Sequence, residues 1–315
     1  MSRPNASPAL SVIVPATDRP ETLARCAEAV EAGLGAADEL IVITEPNGTA
    51  PAAARNAGAA RARGEVVVFV DADVIVHAGA LERIRGAFAS DPFLTALFGS
   101  YDDSPEAPGA VSGFRNLLHH HVHHSAAGAA ATFWTGLGAI RREAFEAEGG
   151  FDPEQRMLED IELGMRLTRH GARIVLDPAL QGTHLKGWSL AEMVRTDFAD
   201  RGVPWIVLLM NPRAPRDALN LGWRHRLSAA SALLAVVAVA WRRPRLAAAA
   251  ALSLLLLNRS LYVLLWQRRG RREAVAGVFL HALHHLVGIA AVPVGVLAHL
   301  RRGRAAGMRS ATEGW

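Results

Sequence analysis

The sequence predicts an α/β domain on a mostly parallel sheet, followed by a tail of hydrophobic helices. Three observations carry this. Short apolar runs alternate with charged, glycine-rich stretches up to about residue 225. The third such run, Glu65–Val70, leads straight into a pair of aspartates. From Leu227 onward the chain is mostly Ala, Leu and Val, broken by arginine clusters. Composition narrows the class further. Half of the 315 residues are apolar and a fifth are charged, which excludes a disordered or collagenous chain. A single cysteine, Cys26, excludes an internal disulfide and a cysteine-built zinc or iron–sulfur site. The net charge is +4, and Lys186 is the only lysine, so the positive charge is almost all arginine.

The elements follow in order. Leu10–Val14 reads as a strand ended by Pro15. Pro20–Ala32 reads as a helix with Asp18 as its N-cap and Gly33 as its stop. Glu39–Thr44 is a second strand, Asn47–Thr49 a turn and Ala50–Ala62 an alanine-rich helix. Glu65–Val70 is a third strand. This alternation implies parallel strands joined by right-handed crossovers. Ligands of such sheets bind beyond the carboxyl ends of the strands, where Asp71 and Asp73 fall. Pro212 and Pro215 interrupt any regular element, so a boundary is expected near Asn211–Asp217, dividing residues 1–217 from 218–315. Residues 1–9 are polar and contain proline, unlike a secretory signal, so the first domain is expected to stay in the cytoplasm.

The tail reads as a membrane anchor of two to three hydrophobic helices. A crossing needs about 20 apolar residues. Leu227–Trp241 and Leu246–Leu257 are short of that, whereas Ala274–Leu300 reaches it. A buried helical subdomain is the soluble alternative. It fits badly, because these segments have no polar face and carry arginines at their ends. The expected location is therefore the cell's inner membrane, multi-pass, with the first domain on the cytoplasmic side. His281, His284, His285 and Gly288 share one helix face. That stripe suits a polar seam toward other helices or headgroups, or a haem or metal site, although no second histidine helix is evident.

Five short elements carry chemistry. In Asp71-Ala72-Asp73 the two carboxylates lie on one side of an extended chain. Hard oxygen ligands at a strand end suit Mg2+ or Mn2+ bridging phosphates, though Asp-x-Asp is also common on solvated loops. Arg55-Asn56-Ala57-Gly58 and the glycine-rich stretch Trp134 to Arg142 are ordinary helix surface and bend when read alone. Gly149-Gly150-Phe151-Asp152 precedes Glu159-Asp160 in the first turn of a helix. The helix dipole favours the ionised carboxylate there. Such a group either caps the helix or accepts a proton from a hydroxyl nucleophile. His184 is either structural or completes a metal shell. The tract His119–His124 is read as a solvated or interfacial helix, with an acceptor-facing or headgroup-facing role as the alternative.

In this order the elements resemble the family 2 glycosyltransferases of GT-A fold. Ser11-Val12-Ile13-Val14-Pro15, Arg55-Asn56-Ala57-Gly58, Asp71-Ala72-Asp73, Gly149-Gly150-Phe151-Asp152, Glu159-Asp160 and His184 match in type and spacing over roughly residues 10–190. The stretch from Arg115 to Trp205, with the tail behind it, looks like a membrane-anchored bacterial branch. The resemblance implies a nucleotide-sugar donor on the first half of the sheet, near Pro15, Asp18, Glu45, Arg55 and Asp71. It places Asp73 and His184 on a divalent metal, Mg2+ or Mn2+, and makes Asp160 the base of an inverting transfer. Trp134, Gly136, Glu159 and Trp188 would lie on the acceptor side. The chain departs from the family at Thr44-Glu45-Pro46-Asn47, where an aspartate pair is usual, leaving Glu45 to contact the base. The Gln-x-x-Arg-Trp motif of processive members is absent, which implies a single transfer. The acceptor is expected to be a lipid or membrane-associated hydroxyl compound. A polyprenyl phosphate acceptor, or a catalytically silent sugar-nucleotide-binding membrane protein, are the alternatives. Nucleic-acid binding is not expected, because the arginines cluster at hydrophobic-segment ends rather than beside aromatic readout residues.

Overall fold

A computed structural model describes residues 7–155, 157–211 and 222–312, with side chains to residue 301. The first unit, residues 1–108 with 116–187, holds the sheet. Strands β1 (Leu10–Pro15), β2 (Glu39–Ile43) and β3 (Val66–Val70) pair in parallel with β1 in the middle. Helices α1 (Leu23–Glu31) and α2 (Pro51–Ala59) make the crossovers. These elements lie where their apolar runs place them. One local expectation fails: α1 starts at Leu23 with Thr22 as N-cap, while Asp18 lies exposed in the preceding turn. Arg19, at φ 47, is left-handed and stops a helix from beginning there.

Beyond β3 the sheet becomes mixed. The remaining elements are β4 (Val74–Val76), α3 (Ala80–Ser90), β5 (Leu94–Tyr101), α4 (Ala110–Ser125), β6 (Gly128–Ala130), β7 (Leu137–Arg141), α5 (Arg142–Ala147), α6 (Glu159–Arg169) and β8 (Arg173–His184). Among the described residues the strand order is β2-β1-β3-β7-β5-β8-β4, with β6 on β8. β7 runs antiparallel to both β3 and β5, and β4 and β6 run antiparallel to β8. Apolar content forms a strand but does not set its direction, so the antiparallel half carries no signal in the sequence pattern.

The core explains the β3 sequence. Val66, Val68 and Val70 join Leu10, Val12, Leu81, Ile84 and Phe88 in one buried cluster. Phe69 points the other way and packs its ring on Phe145 and Phe151 at 5.5 and 5.1 Å. A strand covered on both faces must be apolar at every position, and β3 is.

The second unit comprises residues 109–115 with 188–315. Helix α7 (Leu190–Arg195) opens on a capping box of Ser189 and Glu192. A π-helical turn, Thr196–Gly202, leads to α8 (Val203–Leu209). Then come α9 (Trp223–Ala240), α10 (Pro244–Leu257) and α11 (Arg259–Thr312), which kinks at Gly270 with φ 79. The boundary expected at Asn211–Asp217 lies, apart from Asn211, outside the described residues. Among the described residues one helix, Arg259–Arg301, is long and apolar enough to cross a membrane, its most apolar 18-residue window having a mean hydropathy of 1.8. Pro244–Leu257 is apolar but shorter. Buried Asp197 is held by Arg115 at 2.7 Å and by His284 at 2.8 Å.

Gly58 shows how tightly α2 lies on the sheet. A Cβ there would overlap the Ile13 side chain. Gly58→Ala is expected to lower stability by about 1–3 kcal/mol through overpacking, read as a reduced urea midpoint.

Candidate active site

The site is assembled around Arg55. Its guanidinium is buried and bridges two carboxylates, Asp71 Oδ1 at 2.7 Å and Glu159 Oε1 at 2.5 Å. The neighbouring Asn56 amide donates to the Phe151 carbonyl at 2.7 Å and accepts from its N–H at 2.9 Å. Gly150 beside it has φ 74, and a Cβ there would fall 2.7 Å from Asn56 Oδ1. Three motifs that read as separate in the sequence are thus one hydrogen-bonded unit.

Asp160 stands in the first turn of α6, half-buried. Its Oδ1 accepts from the Ile161 N–H at 2.8 Å. Its Oδ2 accepts from the Thr135 N–H and hydroxyl at 3.3 and 3.4 Å. Gly164 lets α6 close on the Thr132–Phe133 backbone, where a Cβ would collide. Burial raises the Asp160 carboxyl above the usual range, and Arg55 only partly offsets it. Burial, with Asp160 beside it, pushes Glu159 up to about 7 against the pull of Arg55. Two adjacent acids in a low-dielectric setting resist ionising together.

The third part is created by strand register. Val74 of β4 pairs with His184 of β8, and the Leu185 N–H donates to the Asp73 carbonyl at 2.8 Å. This brings Asp73 Oδ2 to 3.4 Å from His184 Nε2. The ring is stacked on Tyr101 at 4.2 Å and 9°, and its Nδ1 lies 2.6 Å from Asn116 Oδ1. Burial pushes the Asp73 carboxyl up, but His184 and Lys186 outweigh it and hold it below the usual range. A carboxylate oxygen and an imidazole nitrogen converging this closely form a donor set that suits a hard divalent cation. Among the described residues no group of three or more His, Cys, Asp or Glu side chains could hold a metal ion. A divalent cation held by this pair would have two protein ligands, with its other positions open to phosphate oxygens and water.

The remaining expected residues fall as follows. Pro15 ends β1. Glu45 is exposed, paired with Arg19, and accepts from the Asn47 N–H at 3.1 Å. Trp134 folds over Gly136, where a Cβ would strike the indole, and meets Tyr101 and His119 at 5.0 and 4.7 Å. Glu159 is turned inward onto Arg55 rather than presented to an acceptor. Trp188 belongs to the second unit, where Ser112 Oγ accepts from its N–H at 2.9 Å and Arg115 covers its ring.

Two histidine expectations are corrected. The tract His119–His124 is only partly solvated, with His124 exposed and His119 and His121 half-buried. His120 and His123 are buried, each with its Nδ1 2.9 Å from a β5 carbonyl, of Tyr101 and Gly99. The stripe on α11 does meet a second histidine helix. His225 of α9 lies 4.8 Å from His285, ring to ring. Asn56, Asn116 and Thr135 are the site residues that sequence reasoning missed. Asn56 and Thr135 stood inside stretches already singled out, Arg55-Asn56-Ala57-Gly58 and Trp134 to Arg142, whereas Asn116 had no signal.

A mixed sheet with acidic residues at the end of its third strand and a histidine at its last defines a GT-A-type α/β fold. The chain belongs to the family described as glycosyltransferase like family 2, which matches residues 4–201. It is 29% identical over 163 residues to the pre-mycofactocin glycosyltransferase of two Mycobacterium tuberculosis strains. That match covers 48% of this chain, which spans about a third (33%) of the length of those relatives. In fold it is similar to the mannosyltransferase PcManGT of Pyrobaculum calidifontis, solved in complex with GDP-Man and Mn2+. The TM-score is 0.53 at 18% identity, covering 92% of this chain and 88% of the other.

Removing Arg55 leaves Glu159 and Asp71 without their counter-charge. Arg55→Met is expected to cost about 3–5 kcal/mol, measured by urea unfolding of the full chain in detergent.

Proposed function

We propose that this protein transfers one sugar from a nucleotide-sugar donor to a hydroxyl acceptor with inversion, using a divalent cation. The observation that carries the reading is the convergence of Asp73 Oδ2 and His184 Nε2 at the end of the sheet, 3.4 Å apart. The Mn2+ and GDP-Man of the Pyrobaculum enzyme agree with it.

Asp73 and His184 would hold Mg2+ or Mn2+. When bound, the cation supplies charge neutralisation for the diphosphate as it leaves. Asp71, fixed by Arg55, would contact the ribose side of the donor. Pro15, Asp18 and Glu45 line the first strand ends, where the base would lie. Asp160 accepts the proton of the attacking hydroxyl, and Thr135 holds the receiving carboxylate oxygen in place. Attack from the face opposite the leaving group inverts the anomeric centre. Trp134 and Gly136 lie beside Thr135 and would form the acceptor side. Arg55 and Glu159 act as a brace that sets the Asp71 and Asp160 backbones.

The second unit supports membrane association, and we place the protein in the cell's inner membrane, multi-pass, with the sheet domain cytoplasmic. Arg259–Arg301 has the length and hydropathy of a span. Val239, Trp241, Trp266 and Phe279 each expose more than half of their surface. Apolar surface of this kind is stable in lipid. An acceptor carried by a lipid would be reached there.

Two experiments test this. Nucleotide sugars are offered to the full chain in detergent with Mn2+, and slow donor hydrolysis is measured. Hydrolysis is expected with one donor and is lost in Asp73→Ala. No hydrolysis with any donor would favour a catalytically silent sugar-nucleotide-binding protein. Asp160→Asn is expected to lower kcat by about 10²–10⁴. A polyprenyl phosphate acceptor, already an anion, would leave that variant largely active. The base works only when ionised, and its raised pKa moves the acid limb upward. Activity should therefore fall as pH drops through a value above the ordinary carboxylate range, and Asp160→Asn should abolish that limb.

A further inference from the structure

Asn116 is a residue the mechanism does not use. It sits on α4, 68 residues from His184 in sequence, and is 2% exposed. Its Oδ1 lies 2.6 Å from His184 Nδ1, and its Nδ2 is buried without a hydrogen-bond partner. A carbonyl oxygen only accepts, so the proton of that hydrogen bond is on Nδ1. A neutral imidazole protonated on Nδ1 has its lone pair on Nε2. Here that nitrogen faces Asp73 Oδ2 at 3.4 Å. Two acceptors then point at one another, an arrangement that a divalent cation between them satisfies; in metal-free protein a proton on Nε2 takes that place and holds the Asp73 carboxyl low. Tyr101, stacked 4.2 Å away, fixes the plane of the ring.

We propose that Asn116 is a positioning residue, locking His184 in the Nδ1–H tautomer so that Nε2 is presented to a divalent cation beside Asp73. This rests on the metal reading of the site proposed above. A residue serving packing alone would have no use for a buried amide whose Nδ2 is unsatisfied, since leucine fills the same volume without it. Metal-bound histidines characteristically donate their other ring N–H to an oxygen acceptor, which sets the tautomer and orientation.

The test uses the full chain in detergent, with Mn2+ added in the presence of UDP and, separately, GDP. Free Mn2+ is read by electron paramagnetic resonance, and folding by thermal melts. Asn116→Leu is expected to weaken Mn2+ binding about 10- to 100-fold. Asn116→Asp keeps the acceptor oxygen and should bind Mn2+ within about threefold of the wild type. In metal-free protein, the ¹⁵N shifts of the His184 ring should report Nδ1–H. If the wild type binds no Mn2+ with either nucleotide, the metal reading falls and this inference with it. If the wild type binds and Asn116→Leu binds equally well, the inference alone is overturned. Equal weakening of both variants, with lowered melts, would assign Asn116 to packing and also overturn it. A ring protonated on Nε2 but not on Nδ1 would do so even where Mn2+ binds.

Discussion

One buried guanidinium organises the first unit. Arg55 stands between Asp71 and Glu159, which lie 16 and 104 residues away in sequence. A cation withdrawn from water needs both partners, because a lone buried charge is far costlier than a paired one. That requirement fixes α2 relative to the end of β3 and the start of α6. Asn56 adds two hydrogen bonds to Phe151, and Gly150 supplies the left-handed backbone that admits them. Asp71 and Asp160 owe their positions to this unit, although neither is adjacent to the other in the chain. The same burial that makes Arg55 necessary also raises the carboxyls of Glu159 and Asp160. Structural cohesion and basicity here have one physical cause, the exclusion of water.

The second organising constraint is register. β4 is only three residues long, yet its pairing with β8 places Asp73 beside His184. A slip of one residue would send the His184 side chain to the opposite face of the sheet. Asn116 and Tyr101 then hold the ring from two further elements, α4 and β5. Asp73 and His184 are therefore held by the sheet rather than by a mobile loop, as the proposed cation site requires if it is to keep its geometry during transfer.

The second unit follows a different logic. Several of its buried polar groups are paired: Asp197 with Arg115 and His284, Asn258 with Ser228, and Tyr262 with His281. Its large apolar side chains are instead turned outward at many positions of α9 to α11. The unit buries apolar residues such as Leu254, Leu261 and Leu265 as well, so what sets it apart from the sheet domain is the amount of apolar surface it leaves outside.

Much of this was legible in the amino-acid order. β1 to β3, α2 and the hydrophobic tail were readable because apolar periodicity and glycine or proline punctuation are local properties. Asp71, Asp73, Asp160 and His184 could be singled out because each sits at the end of such a run. The antiparallel β7, the inward turn of Glu159, the buried packing of His120 and His123, and the roles of Thr135 and Asn116 were not legible. Each depends on contacts between residues far apart in the chain, and strand direction and register arise only when the whole sheet closes. The sequence by itself determined which residue types stand at the strand and helix ends. Tertiary structure decided which of them meet, because hydrogen bonds and burial act through space and carry no trace in local order.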